Sequence, residues 1–300
     1  MNRRQFLKGA AMAGVVGAAA ARVWGLDDLT RPLRPAEDPL GTAGDPGPID
    51  LVRAHTFSIC AVNSETGEAG VAVASKCLSV GGLVCYAAPG VGAVATQATV
   101  NPSYGTDGLD LLRKNVPAAE VVARLTGSDV TVTADEERFV KLYADDQMTE
   151  EGTDFFRDKA NRRLLWLTSR IRQLGVVDRR GDAAVHTGAR TFPWSGSVTG
   201  KGFSCQGNLL AGEKVVAAMA EAFQATRGKS DRLVAPLLAA LEAGDAAGGD
   251  KRGKQAAGLL VVRDRGHWTG SDRWCDVRVD DHAEPIAELA RILKKVGFVK

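Results

Sequence analysis

HTFSICAV NSETG EAGVAVASK, residues 55–76, is the stretch on which the fold turns. His55 to Val62 is rich in β-branched residues and alternates, Asn63-Ser64-Glu65-Thr66-Gly67 is a turn cluster, and Ala69 to Lys76 resumes a strand. The result is a hairpin. With its turn centred on Glu65 to Thr66, paired residues carry numbers summing to about 131 or 132, so Thr56 lies opposite Ser75 or Lys76. A hydroxyl heading a domain's first strand, with a lysine beside it, is the arrangement a threonine nucleophile needs. Plain strand propensity also accounts for a threonine there.

On the N-terminal side the composition changes twice. Asn2-Arg3-Arg4-Gln5-Phe6-Leu7-Lys8 precedes a mild Gly/Ala run from Gly9 to Ala21, too short and too weakly apolar to span a bilayer. Residues 1–21 therefore read as a twin-arginine export signal with a small-x-small cut near Ala19-Ala20-Ala21, a membrane anchor being the other reading. Residues 22–54 hold Pro32, Pro35, Pro39, Pro46 and Pro48, five of the eleven prolines, and read as a linker or propeptide. The net charge is +2, and the leader's Arg3, Arg4 and Lys8 are balanced by no acid, so the remainder is slightly acidic. Nucleic acid is thereby excluded as an expected partner.

On the C-terminal side, Gly81-Gly82, a strand over Leu83–Ala87, the turn Pro89-Gly90 and a strand over Val91–Gln97 continue the antiparallel pattern. After Asn101-Pro102-Ser103-Tyr104-Gly105 come helices over Leu109–Lys114 and Ala118–Leu125, then a charged, helical insertion at about 134–170. Strands are expected over Leu174–Asp178, Ala183–Thr187 and Gly202–Gln206. Helices follow over Glu213–Thr226 and Leu233–Ala243, then a glycine-rich loop over Gly244–Gly253, strands over Ala257–Val262 and Asp276–Val279, and a helix from about Ala283. Sheets early, paired helices in each half and sheets again give a layered α+β domain over 55–300. At 300 residues, 45% of them hydrophobic, the chain can bury a sizeable core.

Three patterns compete for chemical readings. Gly90-Val91-Gly92-Ala93-Val94-Ala95 has dinucleotide-fingerprint spacing, but that motif must leave a strand and open a helix, whereas these glycines enter a β-rich run; they let another backbone or a ligand come close. Asp280-Asp281-His282 has metal-ligand composition, yet Glu284 three residues after Asp281 makes a capping box the better reading. Gln97 with Asn101, and Gln206-Gly207-Asn208, put amides at the ends of small-residue strands, as a substrate-carbonyl site requires. Cys60, Cys77, Cys85, Cys205 and Cys275 form no CxxC pair and read as small buried hydrophobes.

The blocks Thr56-Phe57-Ser58-Ile59, Gly70 to Lys76, Gly90 to Ala98, Asn101 to Gly105, Gly202 to Gly212, Ala246 to Gln255 and Val279 to His282 closely resemble the bacterial and archaeal family called domain of unknown function 1028. The resemblance covers about residues 55–300. It implies the N-terminal-nucleophile (Ntn) hydrolase fold, a four-layer αββα sandwich of antiparallel sheets, with an activity that is not established. In Ntn hydrolases the first residue of the first strand becomes the chain's N-terminus, its hydroxyl attacks an amide carbonyl, and its own amine is the general base. Family members lacking an export signal begin with Met directly before this Thr. Here fifty-five residues precede it, so the His55–Thr56 bond is cut autocatalytically, cut by another protease, or left intact.

The resemblance implies Thr56 as nucleophile, Lys76 tuning its amine, and backbone around Thr96 and Gln97 with Asn101 and Asn208 as oxyanion donors. Ser75, Tyr104, Gln206, Arg252 and Gln255 are the substrate-side candidates. The expected reaction is hydrolysis of a C–N amide in a small peptide or acylated compound, without metal or organic cofactor; a non-catalytic envelope protein binding ligands or partners through the same pocket is the alternative. Expected partners are the export machinery, a small-molecule or peptide substrate, cell-wall peptides among them because some relatives look fused to peptidoglycan-binding modules, and optionally a second copy. The expected location is the periplasm or cell envelope.

Overall fold

The computed structural model describes residues 53–127, 138, 169–229 and 232–300. The expected export signal, most of the linker and nearly all of the insertion lie outside the described residues. The architecture is α+β, with two antiparallel sheets and, among the described residues, six α-helices. The strands are β1 (Arg53–Ala54), β2 (Thr56–Val62), β3 (Ala69–Ser75), β4 (Cys85–Ala88), β5 (Gly92–Thr99), β6 (Arg172–Asp178), β7 (Ala183–Thr187), β8 (Gly196–Gly200), β9 (Phe203–Gly207), β10 (Ala256–Val262) and β11 (Arg273–Val279). The helices are α1 (Val80–Val84), α2 (Pro102–Arg113), α3 (Ala118–Thr126), α4 (Lys214–Arg227), α5 (Val234–Ala246) and α6 (Pro285–Lys295).

The second sheet runs β11-β10-β3-β2-β9-β8, and the hairpin at its centre pairs Thr56 with Ser75 and Val62 with Ala69, the sum-131 register. The first sheet runs β1-β5-β6-β7, with β4 beside β1 on the same edge of β5. The chain thus changes sheets between β1 and β2, and His55 is the single residue that makes the crossing.

Alternation along the strands sorts the core. Cys60, Val62, Val71 and Val73 meet Ala93, Ala95 and Val177 between the two sheets. Phe57, Ile59, Ala72 and Ala74 point the other way, into Val216, Met219, Leu237, Leu241 and Leu289 of the helices α4, α5 and α6. On the first sheet Val94, Leu174 and Val176 point outward to Leu109, Leu112, Val121 and Leu125 of α2 and α3. Fully burying such a Leu or Phe contributes about 1.5–3 kcal/mol, so each sheet is held by two apolar faces.

Some boundaries differ from expectation. Residues 83–84 belong to the short helix α1, whose Gly81 packs on β10: a Cβ on Gly258 would lie 2.7 Å from the Gly81 Cα. Strand β8 has no alternating apolar signal and was not expected. The dinucleotide-like glycines sit at the entry to β5, where a Cβ on Gly92 would come 2.4 Å from the carbonyl oxygen of Val177; a backbone, not a nucleotide, makes the close approach. Asp281 is not a helix cap. Helix α6 begins at Pro285, whose fixed φ suits the first helical position, its N-cap is Glu284 without a side-chain cap bond, and Asp281 Oδ1 instead accepts from Gln255 Nε2 at 3.3 Å. The five cysteines are free, and four of them are buried.

Candidate active site

Antiparallel pairing brings the head of β2, the end of β3, the ends of β5, β7 and β9 and the starts of β6, β8 and β10 to one end of the two sheets. Thr56 and Ser75 are paired there, so their side chains share a face, and Thr56 Oγ1 donates to Ser75 Oγ at 3.3 Å. Ser75 Oγ passes its own hydrogen to the carbonyl oxygen of His55 at 2.5 Å. A second donor, Arg252 Nη2, reaches the same oxygen at 2.9 Å. The peptide carbonyl before Thr56 is therefore polarised by two donors while the Thr56 hydroxyl lies one residue along the chain.

Arg252 is held by Asp250, whose side chain is 1% exposed. The Asp250 carboxylate accepts from Arg252 Nη2 at 2.6 Å and Nε at 3.1 Å, and from the backbone N–H groups of Arg252 at 2.9 Å and Lys76 at 3.1 Å. Two bonds to the guanidinium fix its plane, which a lysine could not offer.

Behind the His55–Thr56 bond lies a chain of buried amides whose orientation follows from carbonyls that can only accept. Gln173 Nε2 donates to the carbonyl of Gly207 at 2.9 Å and to Thr187 Oγ1 at 2.9 Å. Gln173 Oε1 must then accept, and it takes Gln97 Nε2 at 2.8 Å and Asn208 Nδ2 at 3.1 Å. Asn208 Oδ1 thus faces His55 Nδ1 at 3.1 Å, so Nδ1 is the protonated nitrogen of that bond. Gln97 Oε1 accepts from Ser58 Oγ at 2.6 Å, and Ser58 accepts from Gln206 Nε2 at 2.7 Å. The Thr56 carbonyl is held by the Asn208 backbone N–H at 3.0 Å and by Gln97 Nε2 at 3.4 Å. Ala98 (φ 66°) and Leu209 (φ 55°), the residues directly after Gln97 and Asn208, have left-handed backbones without being glycine. Such residues cost about 1–3 kcal/mol each, and here the strain falls where two amides are aimed.

His55 and Thr56 are buried, and the His55 ring stands edge-on to Phe192 with centroids 4.3 Å apart. A cleft of about 260 Å³, lined by Phe57, Ala74, Ser75, Asp245, Asp250 and Lys254 among others, approaches from the side of α5 and α6 and reaches Ser75 without reaching Thr56. A larger cleft of about 430 Å³ surrounds Val62, Asn63 and Arg232. That is the far end of the hairpin, about 20 Å from Thr56 by strand rise, and it contains none of these groups.

Of the residues singled out from the sequence, Thr56, Ser75, Gln97, Gln206, Asn208 and Arg252 come together. Lys76, directly after the end of β3, is exposed, and its Nζ donates to the carbonyl of Lys254 at 3.3 Å; the cation on the His55 carbonyl is Arg252. Thr96 faces α2, bonded to the carbonyl of Asn101 at 3.1 Å, while Asn101 is the N-cap of α2 and accepts from the Ser103 N–H at 3.1 Å. Tyr104 is packed among the α2 and α3 residues, with the Arg172 guanidinium 5.5 Å from its ring centre. Gln255 stands behind Ser75, its N–H donating to the Ser75 carbonyl at 3.1 Å. His55, Ser58, Gln173, Phe192 and Asp250 belong to the site and were not singled out. Asp250 lay within a quoted block, in the run Gly248-Gly249-Asp250-Lys251-Arg252, but its glycines read as an ordinary loop. Among the described residues no three His, Cys, Asp or Glu side chains group as a metal site would require.

Comparisons with known proteins identify a family. The model of a family of unknown function, DUF1028, matches residues 56–149 and 158–289, beginning at Thr56 itself. A crystal structure of protein SPO2555 from Silicibacter pomeroyi, of the same family model, is 29% identical and superposes with a TM-score of 0.59, over 80% of this chain and 88% of that one. A comparison with curated proteins returns no match.

Proposed function

The chain belongs to the DUF1028 family, and since membership brings no reaction with it, we propose from the site that the protein is an amide hydrolase of the Ntn kind, with the packing of sheets and helices that of the Ntn sandwich. Thr56 is the nucleophile, made available by cleavage of the His55–Thr56 bond. The observation that carries this is the His55 carbonyl, held by Ser75 and Arg252 directly before the Thr56 hydroxyl.

In the first reaction Thr56 Oγ1 attacks the His55 carbonyl carbon while its proton passes to Ser75 Oγ, and Ser75 hands its own proton to the developing oxyanion, which Arg252 also stabilises. Collapse breaks the C–N bond, the proton returns to the Thr56 nitrogen, and an ester joins His55 to Thr56 Oγ1. Water cleaves that ester into a His55 carboxylate, a Thr56 hydroxyl and a free Thr56 amine. In the second, repeated reaction a substrate amide carbonyl takes the position of the His55 carbonyl. The Thr56 amine, with a reference pKa near ~8, accepts the hydroxyl proton, and acyl transfer and hydrolysis follow. Gln97 and Asn208 hold the Thr56 carbonyl and so position the nucleophile. Export by the twin-arginine route to the periplasm or envelope completes the proposal, supported by Arg3 and Arg4 before Phe6-Leu7-Lys8.

The test is intact mass and N-terminal sequence of protein recovered from its exporting host, with amide turnover, for wild type, Thr56→Ala and Thr56→Ser. Wild type should begin at Thr56, Ala should be folded, uncut and inactive, and Ser should retain part of both activities. An Ala variant cut and active like wild type refutes the mechanism, and an uncut, inactive wild type favours the binding-only alternative.

A further inference from the structure

We infer that the acyl side of the substrate is a peptide-like segment ending in a flat side chain with an N–H donor, histidine being the model, because the chain's own residues 53–55 lie in the site as such a segment. This rests on the hydrolase reading above and adds the substrate class.

Three observations converge. First, the segment before Thr56 is extended and adds to the edge of β5, Arg53 opposite Thr99 and Ala54 opposite Ala98; strand addition to a sheet edge is a general mode of peptide binding. Second, the His55 side chain is enclosed, 5% exposed, edge-on to Phe192 and bonded through Nδ1 to Asn208 Oδ1. Because Gln173 fixes the Asn208 amide through its Nδ2, Oδ1 is presented as an acceptor. Third, the His55 carbonyl is in the cradle of Ser75 and Arg252, where the attacked carbonyl belongs. Backbone, side chain and reacting carbonyl are each engaged, and all three positions are vacated when the leader leaves. A substrate that refills them needs backbone N–H and C=O groups beside Ala98 and Thr99 and a donor on a flat ring or amide facing Asn208. An apolar side chain of similar size would leave Asn208 Oδ1 buried and unpaired, and a site built for such a bond discriminates strongly against partners that lack it.

The test uses protein cut at His55 and aminomethylcoumarin amides of Leu-Val-Arg-Ala-X, the sequence of residues 51–54 followed by His, Leu or Ala. Hydrolysis breaks the bond between the X carboxyl and the coumarin nitrogen with addition of water. The expected kcat/KM for His exceeds that for Leu by about tenfold or more, and His-aminomethylcoumarin without the four preceding residues is about tenfold poorer than the full peptide. Asn208→Ala should reduce the His preference to about twofold. Because Asn208 also anchors Gln173, the half-buried Phe192→Ala is the second variant, and it should lower kcat/KM several-fold more for the His peptide than for the Ala peptide, because the ring it removes stands edge-on to the His55 ring. Equal turnover of His, Leu and Ala peptides by an active, cut enzyme overturns this inference and leaves the hydrolase reading standing. A chain that is never cut, or is cut and inactive on every amide, overturns both.

Discussion

Replacing Asp250 with alanine should lower stability by about 3 kcal/mol, and the number follows from its four bonds. The Arg252 guanidinium, about a third exposed as a side chain, can turn to water and contributes little to the cost. The N–H groups of Lys76 and Arg252 each lose their acceptor, at about 1–1.5 kcal/mol apiece. With an unfolding entropy of about 2 cal/mol/K per residue over roughly 250 folded residues, 3 kcal/mol corresponds to a fall in Tm of about 6 °C. Arg252→Ala should cost about as much for the opposite reason, since it leaves a buried carboxylate without its counter-charge. The two losses are one interaction, so the double variant should lie about 3–4 kcal/mol below wild type, well short of the sum. Calorimetric melts of wild type, both single variants and the double variant at pH 7 measure all of this. A Tm for Asp250→Ala within 2 °C of wild type, or strict additivity, would refute the clamp.

Three further outcomes are expected. Gly175→Ala places a Cβ 2.3 Å from Gln206 Oε1, an oxygen without a partner in the buried network, and should destabilise by about 1–3 kcal/mol in urea titrations; an unchanged midpoint would show that the amide can move. Burial pushes the thiols of Cys60 and Cys275 from 9.0 up to about 12. Between those values the unfolded chain releases these protons and the folded one keeps them, so stability is intact below pH 9 and falls as pH rises towards 12, by up to ~1.4 kcal/mol per pH unit for each thiol. Denaturant midpoints from pH 8 to 11 should show that slope, reduced in a Cys60→Ala/Cys275→Ala variant but not abolished, because burial also raises the thiols of Cys77, Cys85 and Cys205. Finally, replacing Arg3 and Arg4 with Lys should leave a folded precursor inside the cell on fractionation; undiminished export would exclude the twin-arginine route.

The hairpin register was legible to within one residue because a five-residue turn and a period of two leave few pairings: arithmetic put Thr56 opposite Ser75 or Lys76, and the fold has Ser75. The face of β5 was not legible. Every residue from Gly92 to Thr99 is buried, so the strand has no polar side to mark its parity, and Thr96 and Gln97 were taken together although they point into different layers. Asn101 was taken as an oxyanion donor alone, whereas its Oδ1 caps α2 by accepting from the Ser103 N–H, a role that the start of α2 at Pro102 would have marked. Asp281 failed because a proline fixed the helix start four residues later. Gln173 carries no local signal, since its partners Gln97, Asn208 and Gly207 lie far along the sequence and only the pairing of β5, β6 and β9 brings them within bonding distance; Asp250 bonds Arg252 two residues on, but its burial and its bond to the distant Lys76 N–H arise only in the fold. His55 was treated as the end of a leader when its side chain is part of the site.

The crossing at His55 has a kinetic consequence. While the bond is whole, the two-residue strand β1 meets its place on β5 at an effective concentration on the order of millimolar or higher. If the bond is cut as proposed, the same segment becomes a dissociable ligand whose occupancy depends on its bulk concentration, and among the described residues two residue pairs, the ring contact with Phe192, the bond to Asn208 and the carbonyl cradle hold it. On that proposal, covalent maturation and the appearance of activity would be separate events, the second governed by dilution and by the leader's residence time. A crowded preparation would contain cut protein that is still silent, and the same sample diluted would acquire activity with no further change in mass.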